Sequence, residues 1–291
     1  LLAGNTNIVR LPAKEFAQVE IICGAINELL EDNHRKLAPY ICMLKYPPIV
    51  EITDIFSSIC DSRVVWGGDG TIEEMRQSPL KARANEITFA DRHSIAVINA
   101  YEYLKANNKG QIAQDFYNDT YFSDQNACTA PRLIIWIGDK NDEAKSEFWH
   151  SIYLLVKDKY TLAPVQSVGK LHALYKIASQ RDVNLEKGED QLITRISVEQ
   201  LDEDLMNFKY NSGFFLEYDA MALSEILPVC DERCQTLTYY GLSKEELEKF
   251  FIDYRPHGVD RAVPMGKSMD FNLVWDGYDL IRSLSRIISI T

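Results

Sequence analysis

Apolar positions along this chain follow two periods. From Phe16 to Leu30, Val19, Ile22, Ile26, Leu29 and Leu30 recur at helical spacing, and Phe148, Ile152 and Leu155 do the same between Glu143 and Lys157. Between such stretches lie short segments that read as strands: NIVRL (7–11), RVVW (63–66), SIAVI (94–98) and LIIWI (133–137). SIAVI and LIIWI, apolar without alternation, read as buried strands. QLITRISV (191–198) is read as a further strand. Thr71-Ile72-Glu73-Glu74 and Ser243-Lys244-Glu245-Glu246 fit capping boxes that open helices, and a last helix is predicted near Tyr278 to Ile288. Strand alternates with helix over the first hundred residues, which predicts a parallel sheet with right-handed crossovers, and a second α/β block follows.

At 291 residues the chain can bury a large core. Its net charge of −12 disfavours nucleic acid or an anionic membrane as partner, and no apolar run approaches the length of a membrane span. Six dispersed cysteines, at 23, 42, 60, 128, 230 and 234, predict free thiols in a reducing cytoplasm. Cys230 and Cys234 are expected to form a surface or semi-buried pair. The histidines at 34, 93, 150, 172 and 257 show no ligand spacing, so no catalytic metal is expected. The opening Leu1-Leu2-Ala3-Gly4-Asn5 reads like the middle of a domain, which predicts that an N-terminal section is missing.

Four features carry chemistry. Cys128 lies between the polar Asp124-Gln125-Asn126 and an apolar strand, with Thr129, Pro131 and Arg132 after it. A strand-anchored thiol near a cation is placed as a nucleophile would be, although a bland thiol fits the same pattern. The strand–Gly67-Gly68-Asp69-Gly70-Thr71–helix junction suits either an anion-binding loop or a plain turn. Arg10 and Lys14, at the carboxyl end of the first strand, suit a phosphate such as the 2′-phosphate of NADP, or are solvated surface cations. His93 reads as a structural histidine or as an acid/base.

Taken together, GNTNIVRLPAK (4–14), VVWGGDGTIEEMR (64–76), FADRHSIAVI (89–98), FYNDTYFSDQNAC (116–128), CQTLTYYGL (234–242) and VDRAVPMGKSMDFNLVWDGYDLI (259–281) resemble the LuxC family. These are NADPH-dependent long-chain acyl-CoA reductases of the aldehyde dehydrogenase superfamily, known from bioluminescence operons. The resemblance implies an aldehyde-dehydrogenase-like α/β fold: residues 1–95 as the latter half of a Rossmann-type NADP-binding domain, 96–258 as the catalytic domain, and 259–291 as a return segment to the nucleotide-binding and oligomerisation region. It implies that Cys128 accepts the acyl group, with Asn126 of the same motif a second catalytic candidate, and that Gly67, Gly68 and Thr71 lie by the cofactor pyrophosphate.

Lys14 stands where the superfamily usually has the glutamate that holds the adenosine ribose. A cation there favours NADPH over NADH. Glu225, in Glu225-Ile226-Leu227-Pro228, resembles the superfamily glutamate that touches the nicotinamide ribose. The usual general-base glutamate is absent from Phe89-Ala90-Asp91-Arg92-His93, which fits reduction better than oxidation of aldehyde to acid. The implied reaction is reduction of fatty acyl-CoA to fatty aldehyde through a cysteine thioester. An acyl-protein synthetase or acyltransferase is the implied partner, and a cytoplasmic homo-oligomer the implied state. The alternatives are a CoA-acylating aldehyde dehydrogenase using NAD, or a non-catalytic subunit that holds an acyl-transfer partner.

Overall fold

The computed structural model describes residues 1–291. The backbone divides into two compact units, Leu1–Ala90 with Tyr278–Thr291, and Asp91–Gly277. The first unit runs β1 (Asn7–Arg10), α1 (Ala17–Glu31), β2 (Ile41–Leu44), α2 (Val50–Ile59), β3 (Ser62–Trp66), α3 (Asp69–Arg76) and β4 (Asn85–Phe89). Its strands do not form the single parallel sheet expected from the alternation of elements. They make two separate parallel pairs, β1 with β2 and β3 with β4. SIAVI, expected to extend that sheet, instead belongs to the other unit.

The capping box expected at Thr71 is also absent: α3 begins two residues earlier, with Gly68 as its N-cap. The last helix is shorter than its apolar pattern suggested. It covers Leu280–Ser283, opened by the Asp279 carboxylate, which accepts from the Arg282 N–H at 3.0 Å.

The second unit is built on one seven-stranded sheet. Its elements are β5 (His93–Asn99), α4 (Ala100–Lys105), α5 (Lys109–Asp119), β6 (Pro131–Ile137), α6 (Asn141–Lys159), α7 (Pro164–Ala178), β7 (Val183–Leu185), β8 (Thr194–Val198), β9 (Phe214–Ala220), β10 (Cys234–Tyr240), α8 (Lys244–Tyr254) and β11 (Arg261–Pro264). The order is β11-β10-β5-β6-β9-β8-β7, parallel throughout except for the terminal β7–β8 pair.

The continuous apolar runs make sense in this setting, because side chains of β5 and β6 divide alternately between two cores. Ile95, Val97, Leu133 and Ile135 face Ile177 of α7 and Phe250 of α8. Ala96, Ile98, Ile134 and Trp136 face Tyr103 of α4, Phe116 of α5 and Phe148 of α6. No helix is long and apolar enough to cross a membrane.

Candidate active site

Cys128 sits in the turn between α5 and β6, and the sequence around it is written to hold that turn still. Asp124 and Gln125 both take left-handed backbone angles, φ 52° and 53°, a strain accepted only where side chains fix the loop. Gln125 is fully buried. Its Oε1 accepts from the N–H groups of Gly213 (2.7 Å) and Phe214 (3.2 Å), and its Nε2 donates to the Pro131 and Phe214 carbonyls. Asp124 accepts from Tyr160, from Gln166 at 2.7 Å and from Ser212 at 3.2 Å. The Arg132 guanidinium donates to the Gln125 carbonyl.

Ser94, the second residue of β5, donates to the Cys128 carbonyl at 2.7 Å while accepting from the Thr236 N–H at 3.2 Å. The turn is thereby tied to β5, β9 and β10. Asn126 is exposed at its rim, and its Oδ1 accepts from Asn211 at 2.6 Å.

Cys128 itself is half-buried. Its own N–H and that of Thr129 make no bond to a backbone carbonyl, and both, with the Gln235 side chain, favour the thiolate. Burial, followed by the negative Asp276 nearby, nevertheless pushes the thiol above its ordinary value. Arg132 and Arg261 feel the charge of Cys128, but burial holds both guanidiniums down, and neither reverses the balance. The expectation of a cation-activated thiol is thus only half met. The arrangement offers a fixed sulfur, two backbone donors beside it, and a need for something to remove the thiol proton.

His93 does not meet that need. It opens β5 with 2% of its surface exposed, its Nε2 donates to the Val229 carbonyl at 3.1 Å, and burial depresses it to about 4. It is a neutral structural histidine. Because its folded value lies below the unfolded value of about 6.5, the unfolded chain takes up a proton first as pH falls. Stability from this group is complete above pH 6.5 and drains away toward pH 4, by roughly 2 kcal/mol between pH 6.5 and 5. A His93→Gln protein is expected to lose that slope, measured as urea unfolding at pH 7.5 and pH 5; an unchanged difference would refute the assignment. Cys230 and Cys234, expected as a surface or semi-buried pair, are both buried, Cys234 as the first residue of β10, which lies between β11 and β5 in the sheet.

The cofactor candidates fall in separate places. Gly67, Gly68 and Thr71 share the β3–α3 junction of the first unit. The Gly67 N–H donates to the Phe89 carbonyl at 3.2 Å, and a Cβ there would meet the Thr71 methyl at 3.0 Å, so Gly67 is needed by the chain itself. Gly68 and Gly70 are different: a Cβ on either meets nothing within 4 Å, and neither has a positive φ. Nothing in the fold demands glycine at these two positions, whereas a diphosphate seated against the backbone would. Asp69, in the first turn of α3, is a local charge that works against an anion.

Arg10 and Lys14 are exposed. The first lies over the Tyr46 ring at 4.7 Å and the second over Phe16 at 5.4 Å. Glu225, in the second unit, already holds a structural post: its Oε1 accepts from the N–H groups of Met221 (2.8 Å) and Ala222 (2.9 Å), and its Oε2 from the Tyr218 hydroxyl (3.2 Å). Gly68 and Gly70 thus leave open space at the β3–α3 junction, Arg10 and Lys14 are exposed cations, and Glu225 caps the turn at Leu223–Val229.

The sequence profile of the LuxC acyl-CoA reductases matches residues 1–288. The chain belongs to that family. Among solved structures it is similar to Thermus thermophilus 1-pyrroline-5-carboxylate dehydrogenase (R100A mutant), at 12% identity and a TM-score of 0.60, over 96% of this chain and 59% of that one. It also resembles methylmalonate-semialdehyde dehydrogenase from Oceanimonas doudoroffii, at 7% identity and TM-score 0.62, over 93% and 57%. Proline utilization A from Bradyrhizobium japonicum (D778Y mutant) matches at 8% identity and TM-score 0.63, over 94% and 29%. The chain thus has the aldehyde dehydrogenase fold and spans less than two thirds of the length of these structures. No curated protein sequence matches it.

Proposed function

We propose that the LuxC-family chain reduces a long-chain fatty acyl-CoA to the fatty aldehyde through a thioester on Cys128, with NADPH as reductant. The observation that carries this reading is the Cys128 turn, tied to three strands, with the N–H groups of Cys128 and Thr129 left free of backbone carbonyls. A thiolate formed there attacks the thioester carbonyl, and the two N–H groups stabilise the oxyanion as CoA departs. The acyl-enzyme is again a thioester, so its carbonyl stays electrophilic. NADPH, when bound, supplies the hydride that brings the acyl carbon to the aldehyde level. The same N–H donors then hold the thiohemiacetal oxyanion on Cys128 until the C–S bond breaks and releases aldehyde.

The adenosine half of the cofactor is assigned to Gly67, Gly68 and Thr71, with Arg10 and Lys14 on the 2′-phosphate. This is supported by the unexplained glycines at 68 and 70 and by the exposed cations Arg10, at the end of β1, and Lys14, four residues beyond it. A Thermus 1-pyrroline-5-carboxylate dehydrogenase of the same fold (12% identity, TM-score 0.58) was solved with bound NAD. Asn126, at the rim of the turn, is assigned to the acyl group's path.

The test is intact-mass measurement after incubation with dodecanoyl-CoA. One acyl group should add to the chain, and NADPH should discharge it as dodecanal faster than NADH does. Lys14→Glu should narrow that preference about tenfold. A chain that gains no acyl mass would overturn the reading.

A further inference from the structure

Two polar side chains beside Cys128 come from irregular points in the sheet. Between β10 and β5 the register runs Cys234 opposite His93 and then Thr236 opposite Ser94, so Gln235 is an extra residue. Between β6 and β5 it runs Pro131 opposite Ser94 and then Leu133 opposite Ile95, so Arg132 is extra as well. Bulges of this kind re-aim a side chain, and these two flank the serine that holds the Cys128 carbonyl.

Gln235 is fully buried. Its Nε2 donates to the Asp276 Oδ1, its side chain favours the Cys128 thiolate, and its Oε1 has no partner. Asp276 is 7% exposed and stands in a left-handed conformation, φ 49°, just before Gly277. The charged groups around it are Arg92, Arg261 and Asp260. Neither guanidinium pairs with it. Arg92 bonds the Asp260 carboxylate (2.6 Å) and the Cys234 carbonyl (2.9 Å). Arg261 bonds the Ser268 and Asp270 carbonyls (3.1 and 3.0 Å) and lies over the Trp275 ring at 4.2 Å.

A buried carboxylate whose hydrogen bond comes from a neutral amide is costly to keep ionised, and burial pushes Asp276 above the ordinary carboxylate range. Its place beside a thiol gives that cost a use. The hydrogen bond occupies Oδ1 and leaves Oδ2 to carry a proton.

We propose that Asp276 takes the proton of the Cys128 thiol and later gives it to the departing CoA thiolate, with the Gln235 carboxamide holding the two groups in place. The proposal rests on Cys128 being the acyl acceptor. As the sulfur bonds the acyl carbon, its proton passes to Asp276, directly or through one water. The tetrahedral adduct then expels CoA as a thiolate, Asp276 protonates it, and CoA–SH leaves with the carboxylate restored. Without that proton the expelled thiolate attacks the new thioester and reverses the step. After hydride addition and C–S cleavage, Cys128 is released as a thiolate and regains its proton from solvent, so the cycle balances.

The test uses the whole chain with two readouts. Alkylation of Cys128 by iodoacetamide, followed by peptide mass from pH 5 to 10, reports its titration. Acylation by dodecanoyl-CoA in a single turnover reports the chemistry. Asp276→Asn keeps the shape and the acceptor for Gln235 but removes the charge. It should lower the alkylation midpoint by about one pH unit or more, yet slow acylation about tenfold or more. Gln235→Leu should move the midpoint the other way, because the sulfur loses a donor; this variant carries the test if Asp276→Asn does not fold.

Opposite movements of alkylation and acylation in Asp276→Asn are not produced by a merely structural role. An unmoved midpoint, or a parallel fall in both rates, overturns the proposal. A wild-type chain that takes no acyl group while Asp276→Asn still lowers the midpoint would support the thiol–carboxylate pairing and overturn the acyl-CoA reading alone.

Discussion

The Cys128→Ala chain will carry no acyl group after exposure to dodecanoyl-CoA and will form no aldehyde when NADPH follows, a loss of about a thousandfold or more. The size follows from the role: once the sulfur is gone, the N–H groups of residues 128 and 129 can hold an oxyanion but no bond can form to the acyl carbon. The fold should hardly notice. Ser94 grips the carbonyl of residue 128, and Gln125 carries the bonds to β9, so neither tie depends on the sulfur. Truncation of a half-buried thiol to a methyl group should cost under about 1 kcal/mol. Intact mass and a thermal melt on the same preparation check both halves. An acyl adduct retained on Cys128→Ala would move the chemistry to one of the other five cysteines.

Much of this site is legible in the sequence. A cysteine in a polar segment just ahead of LIIWI has to sit at the mouth of a buried strand, and it does. The strands of the second unit are legible for the same reason, since an unbroken apolar run has one stable use in a parallel sheet. What cannot be read is everything that depends on which strands become neighbours. Gln235 lies more than a hundred positions from Cys128, and the bulge between β10 and β5 places it beside the serine that holds the Cys128 carbonyl. Asp276 looks like an ordinary turn residue in Trp275-Asp276-Gly277, and the resemblance carried by residues 259–281 gives it no role.

Glu225 shows how one carboxylate can be claimed locally as well. Its motif suggests a ribose contact, and a carboxylate three residues beyond a turn start is also the usual partner for free N–H groups, which it accepts here. In the first unit the alternation of strand and helix is right and the sheet is wrong. Strands of four or five residues do not state their partners, and β1–β2 and β3–β4 close as separate pairs.

Glu217 shows the same limit at its greatest energetic cost. In Phe214-Phe215-Leu216-Glu217-Tyr218-Asp219 it reads as a strand residue pointing to water, yet it is fully buried in β9, between β6 and β8 and beneath α6. Its Oε1 accepts from the indole N–H groups of Trp136 (2.9 Å) and Trp149 (2.7 Å), and its Oε2 from Arg195 Nε (2.7 Å). These three donors are thereby satisfied by one carboxylate. Glu217→Ala would leave Arg195, 12% exposed, with its charge uncompensated and strand two indole N–H groups in the core. Breaking such a buried pair costs about 3–5 kcal/mol.

Glu217→Gln should cost less, about 1–3 kcal/mol, because its oxygen can keep both indoles while its amide opposes Arg195 donor to donor. Adding Arg195→Leu to Glu217→Leu should recover part of the loss, since the unpaired charge goes while the orphaned indoles remain. Urea unfolding followed by tryptophan fluorescence reads all three, with Trp136 and Trp149 at the site itself. A Glu217→Ala penalty under about 1 kcal/mol would mean that water reaches Arg195 in the variant and that the two cores flanking β9 are not sealed from each other there.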